Sequence, residues 1–326
     1  MIAVADPMRA AIVAAAQESI ARGSKSFSAA SRLFDRETRE RAWLLYAWCR
    51  ACDDLADGQD HGHGMARVDD AADRLATIRT LTGRALAGER VGLPAFDALR
   101  IVCQETRMPH RFVDDVIAGF ALDADDWRPR STLDLMQYCY HVAGAVGCMM
   151  AVVMGVPPDD DATLDRACDL GLAFQLANIA RDIEEDDRAG RCYLPVEWLV
   201  EMDMPPGQHM KPPFRSRLTL LARRLADMAA AHEESARIGT KRLGFRPAWA
   251  VLSAAGIYGD IARKVARRGD HAWDHRVTTS KAEKAGFILR AFAQANARMA
   301  LPDTPRAPGL WTRPRQGALP AGPCKG

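Results

Sequence analysis

The sequence QLANIARDIEEDD at residues 175–187 is the stretch from which the rest of the chain is best interpreted. Asn178, Asp182 and Asp186 recur at four-residue steps, which places them on one face of a helix. The overlapping segment GLAFQLANIA, residues 171–180, is almost entirely apolar. A polar stripe on an otherwise apolar helix is expected to face an interior cavity rather than bulk water.

A second acidic stripe lies far away in the chain, in the sequence YAWCRACDDLAD at residues 46–57. Asp53 and Asp57 stand four residues apart on one helical face, and Arg50 precedes Asp53 by three residues. One acidic run of this kind is most simply a solvated helix end. Two stripes in apolar contexts indicate an interior site that needs a cation, because carboxylates about 6 Å apart at an effective dielectric near 20 repel by about 3 kcal/mol.

The chemistry of these side chains favours a hard divalent cation. Carboxylates and the carboxamide of Asn178 are all-oxygen ligands that suit Mg²⁺ or Mn²⁺, which keep several waters and share their sites with phosphate. Arginine forks match phosphate oxygens, so basic side chains near both stripes would complete a clamp on a diphosphate. The candidates for that clamp are Lys25, Arg50, Arg181, Arg188 and Arg191.

Helical periodicity dominates the chain, and alternating β-branched runs are nearly absent. The pattern predicts a single all-α domain over residues 1–301, in which glycine or proline interrupts successive helices. Besides the helix of the second stripe, helices are predicted at 8–22, 66–87, 95–106, 110–123, 131–154, 160–186, 216–240, 247–268 and 279–299. Residues 302–326 contain six prolines and are predicted to form a mobile tail.

Composition excludes several classes of function. The net charge of +2 gives no global basic field for binding nucleic acid. The eight cysteines lie mostly in apolar segments, which indicates core thiols in a reducing compartment and favours a cytoplasmic protein. The apolar run at 142–158 has 17 residues. Because a membrane-spanning helix needs about 20 apolar residues, this run is predicted to be a buried helix.

Five blocks of the sequence, in order, resemble the squalene/phytoene synthase family of head-to-head prenyl transferases. The resemblance extends from Gly23 to Arg276. An isolated aspartate-rich motif would also be shared with head-to-tail prenyl synthases and terpene cyclases, whereas five ordered blocks are specific to this family. The blocks are GSKSF at 23–27, YAWCRACDDLAD at 46–57, ALDADD at 121–126, YCYHVAGAVG at 138–147 and QLANIARDIEEDDRAGRCYLP at 175–195.

The resemblance implies an all-α isoprenoid synthase fold with a central active-site cavity, in which the two acidic helices face each other through Mg²⁺ or Mn²⁺. It implies that metal and diphosphate are held by Asp53, Asp57, Asn178, Asp182 and Asp186. Diphosphate oxygens would be bound by Ser24, Lys25, Ser26, Arg50, Gln175, Arg181 and Tyr193. Tyr140 would line the reaction site beside Gln175 and act with the four aspartates in catalysis. Some family members have His where this chain has Gly23, which removes one diphosphate contact.

The activity implied by the resemblance is the condensation of two molecules of geranylgeranyl diphosphate to phytoene through a cyclopropyl (prephytoene) diphosphate. This is the first committed step of carotenoid biosynthesis. Loss of a proton ends the reaction, so no NADPH is expected. Two alternatives stay open from the sequence: a squalene or dehydrosqualene synthase that uses farnesyl diphosphate, and a non-catalytic relative. Retention of both metal stripes argues against the second.

Apolar side chains are expected to shield the carbocations of such a reaction from water. Phe27, Ser31, Leu172 and Phe174 are predicted to line this hydrophobic pocket, with an ordinary core position as the alternative for each. Because substrate and product are very apolar, transient peripheral contact with the inner membrane surface is expected of an otherwise cytoplasmic protein. The sequence names no protein partner.

Overall fold

The computed structural model describes residues 7–57, 71–125, 127–300 and 302–315. Within these ranges every regular element is helical and no strand is present, which confirms the predicted all-α fold class. For Pro7, Lys25, Ser26 and Asp57 only the backbone is described. The α-helices of the described chain are α1 (Pro7–Gly23), α2 (Lys25–Ser31), α3 (Arg36–Asp57), α4 (Ala71–Leu86), α5 (Pro94–Thr106), α6 (His110–Ala124), α7 (Thr132–Cys139), α8 (Ala145–Val153), α9 (Asp161–Arg188), α10 (Val196–Glu201), α11 (Arg215–Gly239), α12 (Phe245–Arg268) and α13 (Lys281–Ala297).

The chain divides into two compact units. The first consists of Met1–Asp125 and Met149–Asp160, and the second of Asp126–Cys148 and Asp161–Cys324. In the first unit α3 packs against α1, α4 and α5, and in the second α9 packs against α11 and α12. Each of the two acidic stripes therefore lies on the central helix of its own unit.

The first unit is built around the periodic apolar face of α3. Ala42, Leu45, Trp48 and Cys52 are all enclosed, and they recur at the three- and four-residue steps of one helix face. Trp48 Nε1 donates a hydrogen bond of 3.2 Å to Thr82 Oγ1 of α4. This bond satisfies an indole N–H that would be costly to bury without a partner, so the large ring can occupy the core.

In the second unit a π-helical turn, Tyr140–Gly144, joins α7 to α8. The helix predicted over 131–154 is thus one continuous helical segment with a local change of pitch. This segment, Thr132–Val153, is the one helix of the described chain that is long and apolar enough to cross a membrane. Of its most apolar 18-residue window, 67% is buried inside the protein, as is usual for a core helix.

The approach of α9 to the π-helical turn requires glycine. A Cβ on Gly171 of α9 would lie against the backbone carbonyl of Ala143, and a Cβ on Gly147 would lie against the carbonyl oxygen of Ala167. Backbone atoms cannot rotate away as the end of a flexible side chain can. Glycine at these two positions therefore allows the close contact between the elements.

Residues 302–315, called here the C-terminal arm, lie against α9. Three arginines of the arm pair with three carboxylates of that helix: Arg306 with Asp169, and Arg313 and Arg315 with Asp161 and Asp165. The sequence predicts a mobile tail from Pro302 onwards, and its mobility stays a prediction. Over residues 302–315 the structure places the segment against α9, where carboxylates spaced at four residues on one helix need cationic partners. Residues 316–326 of the predicted tail lie outside the described residues.

The close approach at Gly171 generates a stability prediction. Gly171→Ala is expected to lower the free energy of unfolding by about 1–3 kcal/mol, because the added methyl group overpacks against backbone. The matched control is Gly286→Ala in α13, where a Cβ would meet nothing within 4 Å. This control is expected to raise the free energy of unfolding by about 0.5–1 kcal/mol, since alanine favours the helix. Unfolding in guanidinium measures both, and equal effects would contradict the packing described.

Candidate active site

On α3 the acidic stripe is paired with an arginine of the same helix. Arg50 Nε donates a hydrogen bond of 3.0 Å to Asp54 Oδ1, and Arg50 Nη2 donates to the same oxygen. Arg50 Nη1 lies 3.7 Å from Asp53 Oδ2. The side chain of Asp53 is 45% exposed and that of Asp54 is 20% exposed. Asp54, to which the sequence assigns no role, thus holds Arg50, while the side chain of Asp53 is the more exposed of the two carboxylates. The side chain of Asp57 lies outside the described residues.

The GSKSF block forms the junction of α1 and α2. Ser24 is the N-cap of α2, and its Oγ accepts a hydrogen bond of 3.2 Å from the backbone N–H of Phe27. The ring of Phe27 contacts Tyr46 of α3, with the ring centroids 5.7 Å apart. The cap and the ring contact fix the direction in which the block leaves α1. The side chains of Lys25 and Ser26, which were predicted to bind diphosphate, lie outside the described residues.

Tyr46 occupies the space that a side chain at position 23 would need. A Cβ on Gly23 would collide with the Tyr46 hydroxyl oxygen. Burial raises the pKa of Tyr46 to about 12, although the charge of Arg50 acts in the opposite direction. The phenol therefore stays protonated and can donate a hydrogen bond. Glycine at position 23 therefore leaves room for the Tyr46 hydroxyl.

Ser31 is held inside the first unit. Its hydroxyl donates a hydrogen bond of 2.8 Å to the carbonyl of Ser28 and accepts one of 2.9 Å from Trp43 Nε1. The side chain has no exposed surface. Ser31 therefore ties α2 to α3, and its predicted part in a long-chain pocket stays a prediction.

On α9 the acidic stripe lies among arginines. Arg181 Nε donates a hydrogen bond of 2.7 Å to Asp182 Oδ1, and Arg276 Nη2 lies 3.0 Å from the same oxygen. Arg276 also pairs with Glu185. The sequence analysis did not include Arg276 among the candidates, because it lies in an irregular segment after α12 and only the fold brings it to α9. The only hint in the sequence is that Arg276 is the last residue of the region that resembles the family.

The two arginines at Asp182 repel each other. Burial and the charge of Arg181 lower the pKa of Arg276, and Asp182 compensates only in part. Burial also acts to lower the pKa of Arg181, but the hydrogen bond and charge of Asp182 outweigh it and raise that pKa. Both guanidinium groups stay charged at neutral pH. An added anion would relieve their repulsion, which is the electrostatic setting that a diphosphate needs.

The amide oxygen of Asn178 indicates that this stripe can take a ligand. Asn178 Oδ1 is buried, and no residue of the described chain donates a hydrogen bond to it. A buried oxygen left without a partner costs about 1–3 kcal/mol. A hard cation bound there would remove that cost, with the carboxylates of Asp182 and Asp186 following on the same helix face.

Aromatic rings lie next to this stripe. Phe174, one turn before Asn178, stacks on Tyr258 of α12 with the ring centroids 4.2 Å apart. Tyr193 stacks on Tyr138 with the centroids 4.9 Å apart. Burial raises the pKa of Tyr258, so its phenol is neutral. Tyr258 was also missed by the sequence analysis, since it belongs to no block of the resemblance.

The other residues predicted for this part of the site are on α9 and the π-helical turn. Tyr140 is the first residue of the turn and is fully buried. Its ring centroid lies 5.5 Å from that of Trp311 in the C-terminal arm. Leu172 is fully buried on α9, whereas Gln175 is partly exposed. Leu172 and Phe174 are thus core or ring-stacking positions next to the stripe.

The donor atoms fit a metal bound partly by water and substrate. In the part of the chain that the structure describes, no three His, Cys, Asp or Glu side chains are grouped closely enough to hold a metal ion. Mg²⁺ usually takes only one or two protein carboxylates and fills its remaining positions with water and phosphate oxygens. Each stripe alone supplies one or two carboxylates. The residues present therefore fit Mg²⁺ or Mn²⁺ that is also bound by a diphosphate.

Comparison with known proteins agrees with this chemistry. The squalene/phytoene synthase family model matches residues 20–283. The chain is 44% identical to a phytoene synthase of Pseudescherichia vulneris over 92% of this chain and 97% of that protein. It is also 44% identical to a 15-cis-phytoene synthase of Enterobacter agglomerans over 90% and 99%. Its fold resembles the crystal structure of a dehydrosqualene synthase in complex with ligand, with a TM-score of 0.79 and 26% identity over 89% of this chain and 98% of that one.

A binding prediction follows from the charges at Asp182. Mg²⁺ together with inorganic diphosphate is expected to raise the melting temperature, because a ligand at 100 times its Kd adds about 2.7 kcal/mol of stability. In Asp182→Asn, diphosphate is expected to raise the melting temperature equally with and without Mg²⁺. Thermal unfolding in diphosphate, with and without Mg²⁺, measures this difference. The matched control is Glu184→Gln on the same helix, which loses only a pairing with the exposed Arg188. Equal Mg²⁺ dependence in the two variants would contradict a role for Asp182 in the site.

Proposed function

The chain belongs to the squalene/phytoene synthase family, and from this premise we propose that it joins two molecules of geranylgeranyl diphosphate head to head to form phytoene. The observation that carries the proposal is the identity of 42% to 44% with four bacterial proteins named as phytoene synthases, over 90% to 93% of this chain. Their names confirm the activity predicted from the sequence. The substrate and the course of the reaction are our proposal.

Binding of the diphosphate groups is the first task of the protein. Arg50 on α3, and Arg181 and Arg276 at α9, supply guanidinium groups that match phosphate oxygens. These arginines now pair with carboxylates. When the substrate arrives, we expect the arginines to bind the diphosphate and the metal to take their place beside the carboxylates. Smaller donors complete the set that we propose for the diphosphates: Ser24, Lys25, Ser26, Gln175 and Tyr193.

Metal ligands are the second element of the proposal. We assign Mg²⁺ or Mn²⁺ to Asp53 and Asp57 of α3 and to Asn178, Asp182 and Asp186 of α9. When bound, the metal would neutralise the negative charge that develops on a departing diphosphate. The buried, unpartnered Asn178 Oδ1 supports this assignment at α9.

The protein must then protect the cations that form. Departure of the first diphosphate leaves an allylic cation, which the double bond of the second molecule attacks, and loss of a proton then closes the ring of a cyclopropyl diphosphate. Departure of the second diphosphate, rearrangement of the resulting cation and loss of a second proton complete phytoene, so no hydride donor is required. Tyr140, the apolar side chains of Phe27, Leu172 and Phe174, and the small side chain of Ser31 are assigned to exclude water from these steps.

The decisive experiment is incubation of the purified protein with geranylgeranyl diphosphate and Mg²⁺, without NADPH. Phytoene is expected among the hexane-soluble products, and chelation of the metal is expected to abolish it. Asp53→Ala and Asp182→Ala are expected to reduce turnover by at least about a thousandfold, because each removes charge stabilisation of the leaving group. Mass spectrometry of the product identifies it.

The controls separate the alternatives for this activity. Glu37→Ala on α3 and Glu184→Ala on α9 each lose a pairing that is mostly solvent-exposed and should keep wild-type turnover. A product from farnesyl diphosphate alone would assign the chain to the squalene or dehydrosqualene branch. No product from either substrate would favour a non-catalytic relative and overturn the proposal.

We further propose that α13 makes the peripheral contact with an anionic membrane surface from which the apolar substrate is taken. Leu289 and Phe292 of α13 are 73% and 43% exposed, and Met299 just after the helix is 64% exposed. Exposed apolar residues on one helix with a basic rim are typical of interfacial helices. The rim consists of Lys281, Lys284 and Arg290. An otherwise cytoplasmic protein would in this way reach the inner membrane surface.

The membrane proposal predicts the behaviour of two glutamate variants. Leu289→Glu combined with Phe292→Glu is expected to abolish co-sedimentation with phosphatidylglycerol vesicles, because the variant face is polar and acidic. Val200→Glu is the matched control, since Val200 is 69% exposed on the distant α10, and it should bind as the wild type does. Unchanged binding of the double variant would refute the assignment. Loss of a dimer in the double variant would show that a second copy covers this face instead.

A further inference from the structure

The C-terminal arm is fastened to α9 mainly by charge. Arg313 has no exposed side-chain surface, pairs with Asp161 and lies 3.0 Å from Asp165 Oδ1. Arg315 Nη2 donates a hydrogen bond of 2.6 Å to Asp165 Oδ2. A fully buried guanidinium between two carboxylates costs much more to break than an exposed pair, because the partner left behind would be an uncompensated buried charge. The arm therefore packs as an integral part of the second unit.

The middle of the arm is anchored at Asp169, which is completely buried. Arg306 reaches its two oxygens from Nε at 2.8 Å and from Nη2 at 2.7 Å. On the other side, Ser235 Oγ donates a hydrogen bond of 2.5 Å, and His232 Nδ1 lies 2.7 Å from Oδ1. Burial would raise the pKa of Asp169, but the hydrogen bonds of Arg306, His232 and Ser235 outweigh it and lower that pKa. The carboxylate thus stays charged and holds Arg306.

Arg306 in turn fixes the part of the arm that carries Trp311. Its Nη2 donates a hydrogen bond of 2.6 Å to the carbonyl of Trp311, and its Nη1 donates one of 3.0 Å to Thr312 Oγ1. The Trp311 ring lies with its centroid 5.5 Å from that of Tyr140, at an angle of 41°. Aromatic rings at this separation and tilt attract each other. One arginine thus links the anchor in α9 to the ring that contacts Tyr140.

Tyr140 is also confined on its other side. A Cβ on Gly144 of the same π-helical turn would meet both Tyr140 Cδ2 and Cys168 Sγ of α9. The π-helical pitch is rare and is frequent at functional sites, because it changes the direction in which its side chains point. The orientation of the Tyr140 ring therefore depends on the turn and α9 on one side and on Trp311 on the other.

We propose that Trp311 is a positioning residue: the C-terminal arm holds its indole against Tyr140 and thereby fixes the ring of Tyr140 in the orientation that the reaction needs. The inference rests on the proposed function, in which Tyr140 lines the reaction site. Trp311 itself acts only through Tyr140. Loss of the indole should consequently slow turnover without weakening the binding of substrate.

The test is a double-mutant cycle in kcat on geranylgeranyl diphosphate. Trp311→Ala is expected to lower kcat about tenfold with KM changed less than about twofold, as for a group that acts after substrate is bound. Trp311→Phe, which keeps an aromatic ring, is expected to recover kcat to within about twofold of the wild type. In the Tyr140→Leu background, which lacks the ring that Trp311 positions and is itself slow, Trp311→Ala should change kcat less than about twofold, because the group through which Trp311 acts is already absent.

The matched control is Trp249→Ala. Trp249 is another partly buried tryptophan of the second unit, with Nε1 bonded to the carbonyl of Ile288. It has no ring contact with Tyr140 among those of the described residues. Its loss should lower the melting temperature and leave kcat per folded molecule unchanged. If Trp311→Ala does not fold, Trp311→Leu takes its place in the cycle.

Several results would overturn the inference. The first is a wild-type kcat in Trp311→Ala. The second is an equal loss of kcat from Trp311→Ala in the wild type and in the Tyr140 variant. The third is failure of both the alanine and the leucine variant of Trp311 to fold, which would show a purely structural role. Failure of the proposed function is distinguishable, because then the wild type itself makes no phytoene. The cycle is in that case run on farnesyl diphosphate, and if that substrate is not consumed either, the inference fails together with the proposed function.

Discussion

The structure depends on how one helix, α9, accommodates two runs of polar side chains spaced at four residues. Asp161, Asp165 and Asp169 form one acidic run near its start, and Asn178, Asp182 and Asp186 form another near its end. Nine residues separate Asp169 from Asn178, which at 3.6 residues per turn places the runs on roughly opposite faces. Like charges at this spacing repel, so each run needs cations from elsewhere in the chain.

The two runs obtain these cations in different ways. The first pairs with the three arginines of the C-terminal arm, of which Arg313 is fully enclosed. In the second, Arg181 and Arg276 pair with Asp182, and the buried Asn178 Oδ1 accepts no hydrogen bond from the described chain. The first run fastens the C-terminal arm to the fold, although its Asp165 Oδ1 also makes no well-formed hydrogen bond in the described chain. The second run, in our proposal, exchanges its arginine partners for a metal and a substrate. Structural and functional carboxylates thus differ in their partners rather than in their spacing.

This difference explains which features the sequence predicts. The all-α fold, most of the long helices and the stripe of Asn178 and Asp182 follow from periodicity, because that information is local. The short helices α2 and α10 were not predicted, and residues 66–70 of the helix predicted at 66–87 lie outside the described residues. Arg276, Tyr258 and Trp311 were not predicted, since each reaches its position through a contact between segments far apart in the chain. The π-helical turn at Tyr140 was not predicted either. Its hydrogen bonds span five residues instead of four over a single turn, which leaves the apolar pattern of the sequence almost unchanged.

The contacts of the arm are a case that composition alone does not predict. Prolines at 302, 305 and 308 suggest a segment that cannot form a core of its own. A segment held by charge needs no core, and the acidic run that begins at Asp161 was not assigned a role. Carboxylates spaced at four residues on one helix need cations, and three of those cations come from the arm. The same reasoning applies at Asp182, where two arginines already crowd one carboxylate and the pKa of Arg276 is lowered. Because Arg181 and Arg276 repel each other there, a diphosphate bound to both would reduce that repulsion, while a metal would take their place beside the carboxylates. The second run of α9 is therefore the place where substrate binding and fold stability are coupled.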